Sequence, residues 1–196
     1  WPRYARTMRD VMANGGLDQP LFLREHASAL VGHGDLGEAQ IYLDRLKARA
    51  PQEKSTNTIE AQLLFGLQKY APLLSLLDAR SQDPEFLLWS AELSEVFGTA
   101  LARNKGGEQA LPFLDLATKL YEQVSQTVPD RKSALASFYA RQGNGDKTFE
   151  LLSEAQPTPD ELAEIGQSAM QSRKLSKSQI EQLIALVKAM FEQHPE

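Results

Sequence analysis

The chain has 196 residues, of which 42% are hydrophobic and 24% are charged, and its formal net charge is −5; this is ordinary for a globular protein with a core, in one large domain or two small ones. The basic residues are scattered among the acidic ones, so no basic stripe indicates a nucleic-acid partner. The absence of cysteine excludes disulfides, thiolate metal sites and cysteine nucleophiles, and no apolar run approaches the roughly 18 residues of a membrane-spanning helix.

The first predicted element is a helix from about Arg3 to Asn14, within residues 1–16. It has no partner helix before it in the sequence, and the chain starts at Trp1 rather than at Met. We therefore expect this helix to belong to an earlier, truncated unit, and the chain to be a fragment of a longer protein. The apolar residues of the helix are Tyr4, Met8, Val11 and Met12.

The next stretch, GHGDLG at Gly32–Gly37, copies the G-x-G-x-x-G pattern of a dinucleotide-binding turn, and Glu53 lies at about the distance of a ribose-binding carboxylate. Such a site requires a strand before the glycines. The apolar residues there instead recur at the i, i+4, i+7 and i+8 spacing of one helix face, with polar residues between them. The sequence therefore predicts a helix and a glycine turn, and no dinucleotide cofactor. The apolar residues are Leu23, Ala27, Leu30 and Val31.

Asp35, followed by Glu38 three residues later, has the capping-box pattern of a helix start. Pro51 marks the end of that second helix. We therefore expect Gly32 and Gly34 to end the first helix and Asp35 to begin the next. Two helices joined by a tight glycine turn form an αα-hairpin, here over residues 20–52.

The same arrangement recurs along the chain. Ser137–Pro157 holds a helix, a glycine turn at Gly143–Gly145 and a second helix. Two more pairs fit between these, turning near Gln68 and at Gly106–Gly107, and a fifth closes the chain. The sequence therefore predicts five helix pairs, with approximate bounds 20–52, 54–83, 84–128, 130–156 and 158–195.

Two later helix starts carry strong signals. Thr158 is followed by Glu161, and Ser176 by Gln179, each three residues on. Pro112 is predicted in the first turn of a second helix, where proline is tolerated. No segment has a convincing strand pattern, so the predicted fold class is all-α.

This arrangement resembles the tetratricopeptide repeat, a helix pair of about 34 residues with the pattern W-x₂-L-G-x₂-Y, then A-x₃-F, then P. In the first unit the small residue, the glycine turn, the alanine and the final proline agree, while leucines replace the aromatic residues. Units three and five are longer than the consensus, and unit two matches it least. The matching residues are Leu23, His26, Ala27, Leu30, Gly34, Ala39, Leu43 and Pro51 in unit one; Phe97, Gly98, Leu101, Ala110 and Leu114 in unit three; Leu135, Ala136, Tyr139, Gly143 and Leu152 in unit four; and Leu162, Ile165 and Gly166 in unit five.

The resemblance covers roughly residues 20–195 and implies a right-handed α-solenoid, a TPR-like superhelix of about five antiparallel helix pairs plus the N-terminal helix. Residues 1–196 are then one helical repeat domain. Small residues such as Ala27, Gly98 and Ala136 let the two helices of a pair approach closely. No pair can bury its apolar face alone, so stability comes from stacking on neighbouring pairs.

No arrangement of residues in the sequence predicts catalysis or metal binding. Paired acids such as Glu92 and Glu95 lie on helix faces, where charge is usually solvated, and Trp89 is expected in the core. The three histidines lack metal-ligand spacing and are expected at the surface or in turns. We therefore predict a non-enzyme with no cofactor and no metal. The histidines are His26, His33 and His194.

The resemblance also implies a concave groove, lined by the first helix of each pair, in which similar repeats bind a peptide or a helix. Polar side chains there would suit the backbone groups of an extended peptide. The alternative, which stays open, is that they form only a solvated face. The candidate groove residues are Arg24, Ser28, Thr58, Gln62, Glu95, Thr99, Arg103, Ser133, Ser137, Arg141 and Gln167.

Some similar repeats hold the C-terminal carboxylate of a peptide, and no such carboxylate clamp is predicted here. An acidic residue and two apolar residues occupy positions where the clamp needs cationic or amide side chains. The corresponding positions hold Arg24, Ser28, Ile59, Glu92 and Val96.

The sequence thus predicts a non-catalytic protein–protein interaction module that binds another protein or a peptide, without nucleic acid and without membrane insertion. Reversing the charge of Arg103 and Arg141 should weaken that binding. Two alternatives stay open. The chain could be a regulatory or spacer arm attached to an enzymatic domain elsewhere in a parent protein, or a small helical enzyme in its own right.

Overall fold

The computed structural model describes residues 19–51, 53–79, 81–105, 107–155, 157–172 and 175–193. These residues form ten α-helices and one 3₁₀ turn, with no strand among them. The all-α prediction is confirmed. The superhelical arrangement stays a prediction. The opening helix predicted within residues 1–16 lies outside the described residues. The helices are α1 (Pro20–His33), α2 (Leu36–Arg49), α3 (Lys54–Gly66), α4 (Tyr70–Leu77), α5 (Pro84–Lys105), α6 (Gly107–Thr127), α7 (Lys132–Gln142), α8 (Gly145–Ala155), α9 (Pro159–Ser172) and α10 (Lys177–Gln193), and the 3₁₀ turn is Pro129–Arg131.

The chain divides into two compact units. Unit 1 comprises the described residues within Trp1–Arg80 and Ala100–Pro112, and unit 2 those within Ser81–Thr99 and Phe113–Glu196. Unit 1 therefore holds α1 to α4 and unit 2 holds α7 to α10, while α5 and α6 contribute to both. Each unit has its own buried apolar cluster.

In unit 1, α1 packs against α2, both contact α3, and α3 contacts α4. Apolar side chains from α1, α2 and α3 meet in one buried cluster, as the helical spacing of the first hairpin predicts. Burying a single leucine in such a cluster stabilises the fold by about 1.5–3 kcal/mol. The cluster consists of Leu23, Ala27, Leu30, Ala39, Tyr42, Leu43, Leu46, Ala50, Ile59 and Leu63.

The first turn has the glycine conformation that the sequence predicts. Gly34 ends α1 with a φ of 91°, and its N–H donates to the carbonyls of Leu30 and Val31 at 3.0 and 3.1 Å. Gly32 lies inside α1, so Gly34 alone ends this helix. A helix leads into GHGDLG, which excludes the strand–turn–helix geometry of a dinucleotide site. Gln68, where the second turn was predicted, also adopts a positive φ, of 57°.

The predicted capping box at the start of α2 is wrong. Asp35 is the N-cap residue but makes no side-chain capping hydrogen bond. Its Oδ2 lies 3.1 Å from Nδ1 of His33 instead. The carboxylate thus has a partner in the preceding turn that competes with the backbone N–H groups of α2.

The helix starts predicted at Thr158 and Ser176 are confirmed, and the structure shows a capping box at each. The N–H of Thr158 donates to Oε2 of Glu161 at 2.8 Å, and the N–H of Glu161 donates to Oγ1 of Thr158 at 3.3 Å. At α10, the N–H of Ser176 donates to Oε1 of Gln179 at 3.0 Å, and the N–H of Gln179 donates to Oγ of Ser176 at 3.3 Å. Side chains therefore satisfy backbone donors at both helix starts.

In unit 2, α7 packs against α8 and α9, and α9 packs against α10. Residues from these four helices, and from the segment between α9 and α10, form the second apolar cluster. Its small residues on α7 and α9 allow the helix backbones to lie close together. The cluster consists of Ala136, Ala140, Leu152, Leu162, Ile165, Ala169, Leu175 and Leu183.

The proline of α6 lies deeper in its helix than the sequence predicts. Because α6 begins at Gly107, Pro112 is its sixth residue and not part of its first turn. The pyrrolidine ring provides no N–H for the carbonyl of Glu108, so one helical hydrogen bond is missing there. No helix in the described part of the chain is both long enough and apolar enough to cross a membrane.

Candidate functional site

The structure gives the candidate groove residues different exposures and divides them between the two units. Unit 1 holds Arg24, Ser28, Thr58, Gln62 and Arg103, and unit 2 holds the other six. Glu95 and Ser137 are buried, in contrast to the solvated groove positions that the sequence predicts. The exposed residues are Ser28, Gln62, Arg103 and Gln167, and the half-buried ones are Arg24, Thr58, Thr99, Ser133 and Arg141.

In unit 2, three of the candidate residues join Tyr121 in one polar cluster, here called the Glu95 cluster (Glu95, Tyr121, Ser137 and Arg141). Arg141 donates through Nε to Oε1 of Glu95 at 2.6 Å and through Nη2 to Oε2 at 2.7 Å. The Tyr121 hydroxyl donates to Oε2 at 3.1 Å, and Nη1 of Arg141 donates to Oγ of Ser137 at 2.9 Å. Both oxygens of the carboxylate are thus engaged by one bidentate guanidinium.

Three helices supply the Glu95 cluster. Glu95 comes from α5, Tyr121 from α6, and Ser137 and Arg141 lie one turn apart on α7. Arg141 stands in the last turn of α7, where the helix dipole favours a positive charge. The cluster therefore joins two first helices and one second helix of the predicted pairs within unit 2.

Burial and charge pairing act in opposite directions on the pKa of Arg141. Burial disfavours the charged guanidinium, but the hydrogen bonds and the negative charge of Glu95 outweigh this effect and raise the pKa of Arg141. Burial, reinforced by the charge of Glu95, raises the pKa of Tyr121, so this phenol stays protonated and donates. Both oxygens of the Glu95 carboxylate accept hydrogen bonds from Arg141 and Tyr121, so the cluster's arrangement is that of a structural contact.

A second polar contact connects α7 to α9. Oγ of Ser133 donates to Oε1 of Glu161 at 2.7 Å, while Oε2 of Glu161 accepts from the backbone N–H of Thr158. The bond from this N–H, followed by that from Ser133, lowers the pKa of the Glu161 carboxyl. The candidate residue Ser133 is therefore engaged by the capping box of the following pair.

A third contact on α6, α7 and α8 has no counterpart among the sequence predictions. The Tyr139 hydroxyl donates to Oε1 of Glu122 at 2.7 Å and accepts from Nζ of Lys147 at 3.0 Å. Nζ also lies 4.6 Å from the centroid of the Tyr139 ring. The sequence pattern placed Tyr139 at a repeat position but carried no signal for its two charged partners.

The prediction that the histidines lie at the surface or in turns is wrong for His26. Its exposure is only 4%, and its ring packs edge-to-face against Tyr42 with centroids 4.3 Å apart. A usable signal existed, since His26 lies three residues after Leu23 and four before Leu30, on the same helix face. His33 is exposed at the end of α1, as predicted, and His194 lies outside the described residues.

The prediction that Glu95 is solvated is also wrong, whereas Glu92 on the same helix is exposed as expected. Trp89 is buried, which confirms its place in the core. Among the residues that the structure describes, no group of three or more His, Asp or Glu side chains is placed to hold a metal ion.

No protein-family model matches the chain, and neither does any curated protein or solved structure. The resemblance to tetratricopeptide repeats accordingly rests on the residues quoted above.

Proposed function

We propose that this chain is a non-catalytic protein–protein interaction module of tetratricopeptide-like helix pairs, which binds a peptide or a helix along the first helices of successive pairs. The binding face is made of the solvent-facing side chains of those helices. The partner is another protein, recognised mainly by its extended backbone and by a few side chains.

The observation that carries this proposal is the adjacency of first helices. In unit 2 the Glu95 cluster connects α5 to α7, and the bond between Ser133 and Glu161 connects α7 to α9. In unit 1 the first helices α1 and α3 are likewise in contact. Successive first helices side by side are what a stacked array needs to present one continuous face to a ligand.

The structure also indicates which residues should be changed to test the face. Arg141 is committed to Glu95, so reversing its charge would damage the fold as well as any binding. Arg103 is exposed, so reversing its charge should affect binding and leave the fold intact. In unit 2, Val96 on α5 is 58% exposed, and Gln167 on α9 is exposed, so both can accept a bulky probe.

We would place a photo-crosslinking amino acid at Val96 or Gln167 and irradiate the chain in a lysate of the organism that encodes it. Matched controls carry the same probe at Asp115 on α6 or Glu150 on α8, which are exposed on second helices. The expected result is that the same protein is captured from both first-helix positions, identified by mass spectrometry, and not from the controls. Equal capture at all four positions, or no shared partner, would contradict the proposal.

A further inference from the structure

The buried histidine of unit 1 is a titratable group inside an otherwise apolar helix–helix contact. His26 of α1 packs on Tyr42 of α2, with ring planes at 85° and centroids 4.3 Å apart. Leu23 and Leu30, one turn away on either side along α1, belong to the same buried cluster and are 1% and 2% exposed. A charge formed here has little access to water.

The charges that act on the ring do not outweigh its burial. On α2 the carboxylate of Glu38 acts on the ring through its field, while the guanidinium of Arg45 lies 5.8 Å from the centroid of Tyr42. On α3 the carboxylate of Glu60 is already paired with Lys47, at 2.7 Å. On α1 itself, the neighbouring Arg24 and Glu25 pair with each other at 3.3 Å.

We propose that His26 makes the α1–α2 pair acid-sensitive: a proton on its imidazole places a charge in the apolar contact and loosens that contact. Burial, acting against the field of Glu38, also lowers the pKa of His26 below its usual value. The unfolded chain then binds this proton more readily than the folded chain does. Stability is complete above the unfolded pKa, about 6.5, and falls as the pH drops from there toward the folded pKa.

The test measures urea unfolding of the full chain at several pH values between about 7.5 and 5.5, where histidine is the main titrating side chain. The wild-type unfolding constant should rise as the pH falls below about 6.5, by at most about tenfold per pH unit, the limit for one proton. His26→Phe and His26→Gln should lose most of this rise. The matched control His33→Gln, at an exposed histidine, should keep it.

A direct readout accompanies these variants, since a substituted core histidine can prevent folding. NMR titration of the wild-type His26 ring should give a midpoint below 6.5, and amides of α1 and α2 should exchange faster in acid after correction for the intrinsic rate. A midpoint at or above 6.5 would overturn the proposal. So would an unchanged pH dependence in a folded His26→Gln variant.

Discussion

At the scale of single residues, the structure shows where a small side chain is required and where it is only tolerated. A Cβ on Gly98 of α5 would lie 2.8 Å from Cδ2 of Leu114 and 3.2 Å from Cβ of Phe113, both on α6. The Leu114 side chain can rotate away, but Cβ of Phe113 is fixed to the backbone. Gly32, in the last turn of α1, has no such neighbour within 4 Å. The small residue that the sequence pattern predicts at position 98 therefore has a steric cause, whereas Gly32 meets no such neighbour among the described residues.

We expect Gly98→Ala to lower the free energy of unfolding. Overpacking costs about 1–3 kcal/mol, against a gain of up to about 1 kcal/mol from the better helix propensity of alanine. Gly32→Ala is the matched control, because it offers the same propensity gain without a clash and should stabilise the fold. Urea unfolding followed by circular dichroism measures both. A Gly98→Ala protein as stable as the Gly32→Ala protein would show that α5 and α6 can separate at no cost.

At the scale of helices, local signals predicted the starts and turns well, and long-range partners not at all. Thr158 and Glu161 form their capping box because both lie within one turn of the same helix. Asp35 has the same pattern, but its carboxylate pairs with His33, and the capping-box pattern takes no account of such a competing partner. Arg141 and Glu95 are 46 residues apart. Helical periodicity predicts on which face of its helix each of these residues lies. It does not predict which distant residue each one contacts.

The capping box of α9 predicts a graded response at Glu161. Glu161→Ala removes the bonds from Thr158 and Ser133 and is expected to destabilise the chain by about 1–2 kcal/mol. Glu161→Gln keeps the capping geometry, since glutamine also serves in this motif, and should cost less than the alanine variant. Urea unfolding near neutral pH measures both variants.

Asp160→Ala is the control for this prediction, because Asp160 is also an acidic residue in the first turn of α9. Its loss removes a helix-dipole interaction of about 0.3–1 kcal/mol without touching the capping box. The lowered pKa of Glu161 adds a pH signature. Its stabilisation is complete above the unfolded pKa, about 4.3, and is lost as the pH falls through the lower folded pKa. Equal costs for Asp160→Ala and Glu161→Ala would mean that only charge matters at this helix start.

At the scale of the whole molecule, the helix contacts that the structure describes within each unit join helices that are near one another in the chain. Each unit has its own apolar cluster, and the Glu95 cluster lies entirely in unit 2. In arrays of helix pairs, energy is shared mainly between neighbours. Damage to the Glu95 cluster should therefore weaken α7 and its neighbours first, and α1 and α2 last.

Removing one member of the buried ion pair gives the clearest test of this locality. Arg141→Met leaves the Glu95 carboxylate buried without its cation, so we expect a loss of about 3 kcal/mol. Lys132→Met is the matched control on the same helix, because its pair with Glu154 is more exposed and should contribute less than about 1 kcal/mol. Adding Glu95→Leu and Tyr121→Phe to Arg141→Met should restore most of the stability, since the buried carboxylate and phenol are then removed together with their cation. Of the four cluster residues, Ser137 then keeps a buried hydroxyl that has lost its bond from Arg141.

Hydrogen exchange measured helix by helix shows which helices lose stability in the Arg141→Met variant. In Arg141→Met the amides of α7 and α9 should exchange faster, by up to about 10²-fold for 3 kcal/mol, at about 1.4 kcal/mol per tenfold. The amides of α1 and α2 should keep their wild-type rates, because their buried cluster is intact and lies within unit 1. If α1 and α2 exchange faster by the same factor as α7, the chain unfolds as one cooperative body, and the two compact units are not independent in energy.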